Sequence, residues 1–209
     1  MKIAVISANG HLGHMIVEEA LEHKHDVTAI VRNENLSKAQ KVILKSIMDI
    51  TKEDLKGFDV VINAYGQKDE SKLDEFKLSV AHLCNCLSET QTKFYIVGGA
   101  GSLFINKEHT QQLYQSETFP DYIKPTAQAA SDALKYLRHR DDVNWVYISP
   151  AINFKYSGEK LNTYIIAGEE LTYNSQGESM ISYADYAYAL MDILQANKFN
   201  KQRISLLQR

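Results

Sequence analysis

Apolar residues along this chain fall either in short runs or in stripes of helical period, and the two patterns alternate. Lys2 to Ile6 is a short apolar run that ends in a glycine-containing turn. Beyond it Leu12, Ile16 and Ala20 recur at every fourth position, which predicts strand, tight turn and helix. Asp26 to Val31 is a second run, rich in β-branched residues, and it follows after the length of helix that a parallel crossover needs. The alternation continues through a third strand expected over Val42 to Ile47 and a fourth over Asp59 to Asn63. The stripe Leu73, Phe76, Val80, Leu83 and Leu87 then predicts a helix, Phe94 to Val97 a fifth strand, Thr126 to Leu137 a helix and Trp145 to Ile148 a sixth strand. Such an order predicts an α/β fold, a Rossmann-type doubly wound parallel sheet with helices on both faces.

The stretch from Ala151 to Arg209 is expected to form a small carboxy-terminal region on the substrate side of the cleft. It holds a helix from Tyr183 to Leu194, with Ser182 as its N-cap, and no apolar strand before Arg203 to Leu207. Asn106 to Pro125 is polar and aperiodic and is the expected mobile loop.

Composition narrows the function classes. A chain of 209 residues predicts one domain, residues 1–209, around one sizeable core. Its 23 basic and 26 acidic residues, a net charge of -3, give no electrostatic case for nucleic acid or an anionic membrane, so a small-molecule partner is expected. The first apolar run is too short for a signal peptide's hydrophobic region, and no segment approaches the roughly 20 apolar residues of a membrane span. Cys84 and Cys86 stand at i and i+2 on a helix, so neither a disulfide nor a shared metal site is expected, and free thiols suit a reducing cytoplasm. No histidine shows metal-ligand spacing with a cysteine or a second histidine on one face.

The chemistry concentrates at the ends of the strands. After the first strand the chain reads Ser7-Ala8-Asn9-Gly10-His11-Leu12-Gly13, a G-x-x-G-x-x-G spacing with serine at the first position. There Gly10 lets backbone approach a pyrophosphate, Gly13 lets helix pack on strand, and the N–H groups of His11 and Leu12 face the anion. After the second strand stand Arg32 and Asn33, where an NAD-preferring site usually carries an acid. A guanidinium there favours NADP(H), with NAD(H) open; the plainer reading is a solvated surface arginine.

These residues stand together with Asp49-Ile50, Asn63-Ala64-Tyr65-Gly66, Gly98-Gly99-Ala100-Gly101-Ser102, WVYISPAI over residues 145–152 and ISYADYA over residues 181–187. The set resembles the atypical short-chain dehydrogenases/reductases grouped with NAD(P)H-flavin and biliverdin-IXβ reductases, over nearly the whole chain. The resemblance implies that Asp49 touches the adenine and Ile50 packs on its ring, and that Ala64 and Tyr65 line ribose and pyrophosphate. It also implies that Ser102 and Pro150-Ala151-Ile152 face the nicotinamide. The plainer alternatives are that Ser102 caps its own backbone and that Asp185 is a helix-start charge.

One departure shapes the expected activity. The superfamily's Tyr-x-x-x-Lys pair is missing from the helix that begins Pro125-Thr126-Ala127, and the spacing recurs only at Tyr156 and Lys160, after the sixth strand. A reductase without that acid suits flavin-like or quinone-like acceptors, whose reduced rings take protons from solvent, with Tyr65, Phe104 and Phe154 as stacking surface. A non-enzymatic NADP(H) sensor is the alternative from another class; a sugar-nucleotide epimerase is disfavoured because its chemistry needs the pair.

Overall fold

The computed structural model describes residues 1–209 apart from Lys68 and the side chain of Glu70. Strands β1 (Lys2–Ile6), β2 (Asp26–Val31), β3 (Lys41–Leu44), β4 (Val60–Asn63), β5 (Lys93–Val97), β6 (Asn144–Pro150), β8 (Ile165–Ala167) and β10 (Gln202–Leu207) form one eight-stranded sheet in the order β3-β2-β1-β4-β5-β6-β10-β8. Every pairing is parallel except that of β8 with β10. β7 (Asn153–Lys155) and β9 (Met180–Ser182) pair separately beyond the end of β6.

The alternation read from the sequence divides the core in two. Ile3 and Val5 of β1 face helices α1 (His11–Glu22) and α4 (Tyr183–Ala196), whereas Ala4 and Ile6 face α2 (Asp74–Leu87) and α3 (Lys124–Leu137). Helices therefore cover both faces, and the central strands are apolar on both. Ile16, Val17 and Ala20 fill one side; Val80, Leu83, Leu134 and Leu137 fill the other. The strand order reverses at β1 and β4, so the crevice for a ligand opens between the carboxyl ends of these two strands.

Three boundaries differ from expectation. β3 stops at Leu44, and Ile47 belongs to a single 3-10 turn, Ile47–Asp49, because no helix connects β3 to β4. The tail contains three short strands before β10, which its sparse apolar residues did not announce. The stretch from Asn106 to Pro125 is knitted rather than open: Gln112 and Tyr114 are buried, Ser131 donates to the Gln112 side chain at 2.8 Å, and the Asn106 side chain closes its own turn onto Thr110. Polar side chains thus supply there the order that apolar periodicity supplies elsewhere. Among the described residues no helix is long and apolar enough to cross a membrane.

Candidate dinucleotide site

The turn after β1 is built by close backbone contact. Ser7, standing where the motif has glycine, adopts φ 62°, and the Gly10 N–H donates to its carbonyl at 2.9 Å. A Cβ at Gly13 would lie 2.2 Å from that same carbonyl, so only glycine lets α1 sit this close to β1. The first N–H of the helix to find an acceptor is that of His14, on Gly10. Among the described residues the N–H groups of His11, Leu12 and Gly13 have no acceptor and remain at the positive end of the helix dipole. These free donors beside an unhindered Gly10 fit the pyrophosphate of a dinucleotide.

Asn9 ties this turn to the loop after β2. Its Nδ2 donates to the Glu34 carbonyl at 2.8 Å, and its Oδ1 accepts from the Leu36 N–H at 2.8 Å. The loop so held presents Arg32 and Asn33, both exposed. With Ser7, Asn9, Gly10, Ala64, Tyr65 and Gly66 they line a cleft of about 380 Å³ at the carboxyl ends of β1, β2 and β4.

The cleft also contains Lys45 and Ile47, which the sequence reading passed over because it ran the third strand through them. Had that strand been ended at Leu44, Lys45 would have stood at the carboxyl end of a parallel strand, where this fold places its ligands. Tyr65 is held by its hydroxyl, which donates to Glu75 Oε2 at 2.9 Å and accepts from Gln67 Nε2 at 3.0 Å. Burial first, and then the Glu75 carboxylate, raise its pKa above the usual phenol value.

Other expected site residues are not in the lining of this cleft. Ile50 is 1% exposed in the core beneath α2, with its carbonyl taken by His82 Nε2 at 2.7 Å, and it does not reach the cleft; Ile47 lines it instead. Asp49 is exposed at the end of the 3-10 turn, outside the cleft lining. The side chain of Leu12 packs into the core and the His11 ring lies flat on Tyr156, with ring centroids 4.3 Å apart, while the N–H groups of both residues stay free at the turn. Pro150 and Ala151 are buried, while Ile152 is 47% exposed.

Ser102 corrects a further expectation. It is 0% exposed, in a 3-10 turn after β5, and its Oγ donates to the Gly99 carbonyl at 3.4 Å. The hydroxyl thus serves its own backbone, as in the plainer of the two readings. Asp185 is the N3 residue of α4, but it is more than a surface charge. It is 0% exposed, and its Oδ1 accepts the N–H groups of Leu161 and Asn162, both at 2.8 Å, pinning the loop after β7 to the helix. In that loop Lys160 reaches Glu19 at 2.6 Å and Glu22 at 3.2 Å, away from the Tyr156 ring stacked on His11.

A larger hollow, about 940 Å³, lies at the other end of the sheet, where Met1, Asp59 and Lys93 mark the amino ends of β1, β4 and β5. Gly10, where the helix with the free donors begins, and the topological switch both lie at the smaller cleft, which is therefore the candidate ligand site.

A glycine turn at a helix N-terminus, placed where a parallel sheet reverses its order, defines a Rossmann-type dinucleotide-binding protein. The family model for NAD(P)H-binding proteins matches residues 7–197. YwnB of Bacillus subtilis, an uncharacterized protein, is 35% identical over 209 residues, with 99% of this chain and 98% of that protein covered. A Streptococcus pneumoniae protein with the provisional name NADH-flavin reductase has a crystal structure that matches over 100% of both chains at 47% identity, with a TM-score of 0.98. A Bacteroides thetaiotaomicron protein with the provisional name epimerase matches at 29% identity and a TM-score of 0.87, over 99% of this chain and 96% of that one. The chain belongs to the NAD(P)H-binding family, and its cofactor is a nicotinamide dinucleotide.

Proposed function

We propose that the protein is an NAD(P)H-dependent reductase of flavin-like or quinone-like small molecules, with NADPH the favoured donor. The observation that carries the cofactor reading is the charge of the cleft, whose lining includes the cations Arg32 and Lys45 and no carboxylate. An acid at that place would repel a 2′-phosphate; a guanidinium fork grips one. The Streptococcus pneumoniae protein is named for NADH, so the NADPH preference rests on the residues of this chain alone.

When bound, the nicotinamide supplies a hydride, and the chain's own residues hold and orient the dinucleotide. His11, Leu12 and Gly13 offer their free N–H groups to the pyrophosphate, and Tyr65, fixed by Glu75, forms a wall of the cleft. The acceptor side is built from Ile152, Phe154 and Tyr156, which follow β6, and from His11, stacked on Tyr156. Ile152 and Tyr156 expose apolar surface there, with half-buried Phe154 packed behind on Tyr183 and Tyr186, and that surface suits a planar ring. With the Ser102 hydroxyl turned into its own backbone, the acceptor must draw its proton from solvent, which reduced flavins and quinones do.

The test is to mix purified protein with NADPH or NADH and with FMN, riboflavin or a quinone. Acceptor-dependent loss of nicotinamide absorbance, faster with NADPH, is the expected result. Tight binding of both redox forms of the cofactor without any turnover would replace this reading with that of a cofactor sensor.

A further inference from the structure

Two cations meet at the end of neighbouring strands. β2 and β3 pair in parallel with Val31 opposite Leu44, and the Lys45 N–H donates to the Val31 carbonyl at 2.9 Å. Arg32 and Lys45, the next residues on each strand, are therefore neighbours at the carboxyl edge of the sheet, at about the 4.8 Å spacing of adjacent strands. Both line the dinucleotide cleft, and Asn33 stands beside them.

Their environments differ in a way that suggests distinct tasks. Arg32 is exposed and, among the described residues, has no hydrogen-bond or ion-pair partner. Lys45 is 34% exposed, and its Nζ is held by Asp54 Oδ2 at 2.6 Å. That same oxygen accepts from the Thr51 N–H at 2.7 Å and from the Thr51 hydroxyl at 2.6 Å, so the anchor itself is fixed. An ammonium has three donors, and Asp54 takes one of them. Among the described residues the other donors have no acceptor, and they belong to a cleft-lining side chain whose rotamers are already restricted, which lowers the entropy lost when an anion arrives.

We infer that Lys45, preset by Asp54, is a second specificity-determining residue for the cofactor's 2′-phosphate, closing with Arg32 a two-cation clamp across the ends of β2 and β3. This rests on the NADPH reading above. The discrimination between the two cofactors is shared, with the exposed guanidinium gripping the phosphate and the anchored ammonium fixing where it sits. A lysine in that role acts as a point charge, so arginine at the same position keeps the function and a neutral side chain loses it.

The experiment is calorimetric titration of the apoprotein with NADP⁺ and NAD⁺, in wild type, Lys45→Met, Lys45→Arg and Arg32→Ala. Wild type should prefer NADP⁺. Lys45→Met should lower that preference about three- to tenfold, as expected for a partly exposed charge-assisted contact, while NAD⁺ affinity stays put. Lys45→Arg should retain the preference, and the double variant Arg32→Ala with Lys45→Met should bind the two cofactors alike. Full preference in Lys45→Met, lost only in Arg32→Ala, would overturn the role of Lys45 and leave the NADPH reading standing. Equal affinities in wild type would overturn both. Should Lys45→Met lose NAD⁺ binding as well, Lys45→Arg decides, since loss of preference there sinks the inference and its retention supports it.

Discussion

The side chain of Asn9 and the backbone of Leu36 meet at 2.8 Å, and this bond joins the glycine turn to the loop that carries Arg32. With the second bond from Asn9 to Glu34, it sets the distance between the free N–H groups of the turn and the loop that carries Arg32. Asn9→Ala removes both bonds from an otherwise exposed loop. Cofactor affinity is expected to fall about three- to thirtyfold, at roughly 1 kcal/mol per lost hydrogen bond, while the unfolding temperature changes little. Titration of the variant with NADP⁺ checks this, and unchanged affinity would mean the loop holds itself.

The two motif glycines should fail differently. At Gly10 φ is -68°, and the nearest atom to an added Cβ is the Ser7 carbonyl at 3.2 Å, so Gly10→Asp should fold and yet lose cofactor binding by placing a carboxylate against the pyrophosphate. At Gly13 the same Cβ meets Ser7 at 2.2 Å, so Gly13→Ala should be destabilised by about 1–3 kcal/mol as α1 is pushed off β1. Thermal unfolding and calorimetry on both variants separate the two effects.

For Ser102→Ala, the buried hydroxyl and its own-backbone bond predict a reduction rate within about twofold of wild type and a stability loss of no more than about 1 kcal/mol. A drop of tenfold or more in rate at saturating NADPH would return Ser102 to the reacting rings.

Lys45 and Thr51 hold the Asp54 carboxyl at about 2, below its ordinary 3.8. A folded-state value below the unfolded one gives stability that is present above pH 3.8 and lost as pH falls through 2. Wild type should therefore melt above Asp54→Asn near neutral pH, and the gap should close between about pH 4 and pH 2. A gap that persists at pH 2 would assign the effect to packing.

The deep contribution of Arg203 was invisible in the sequence. Its side chain is 0% exposed on β10 and hydrogen-bonds Glu169 and the carbonyl of Ser102, joining the turn after β5 to the chain beyond β8. In sequence it is one polar letter in an apolar run, and only the register of β10 beside β6 shows what it meets. Lys45 is hidden in the sequence for a related reason, since Lys45-Ser46-Ile47 continues an apolar run as readily as it ends one.

The sequence by itself determined the strand–helix alternation, the two-faced burial and the glycine turn, because these depend on periodicity and on backbone sterics within a few residues. It also determined the presence of Arg32 after the second strand. Only the tertiary structure decided which side chains share the cleft. It seats Ile47 there and Ile50 in the core, turns Ser102 inward, and sets Lys45 beside Arg32. Those outcomes depend on strand register and on where a strand stops, and both are fixed by packing against residues far away in the chain.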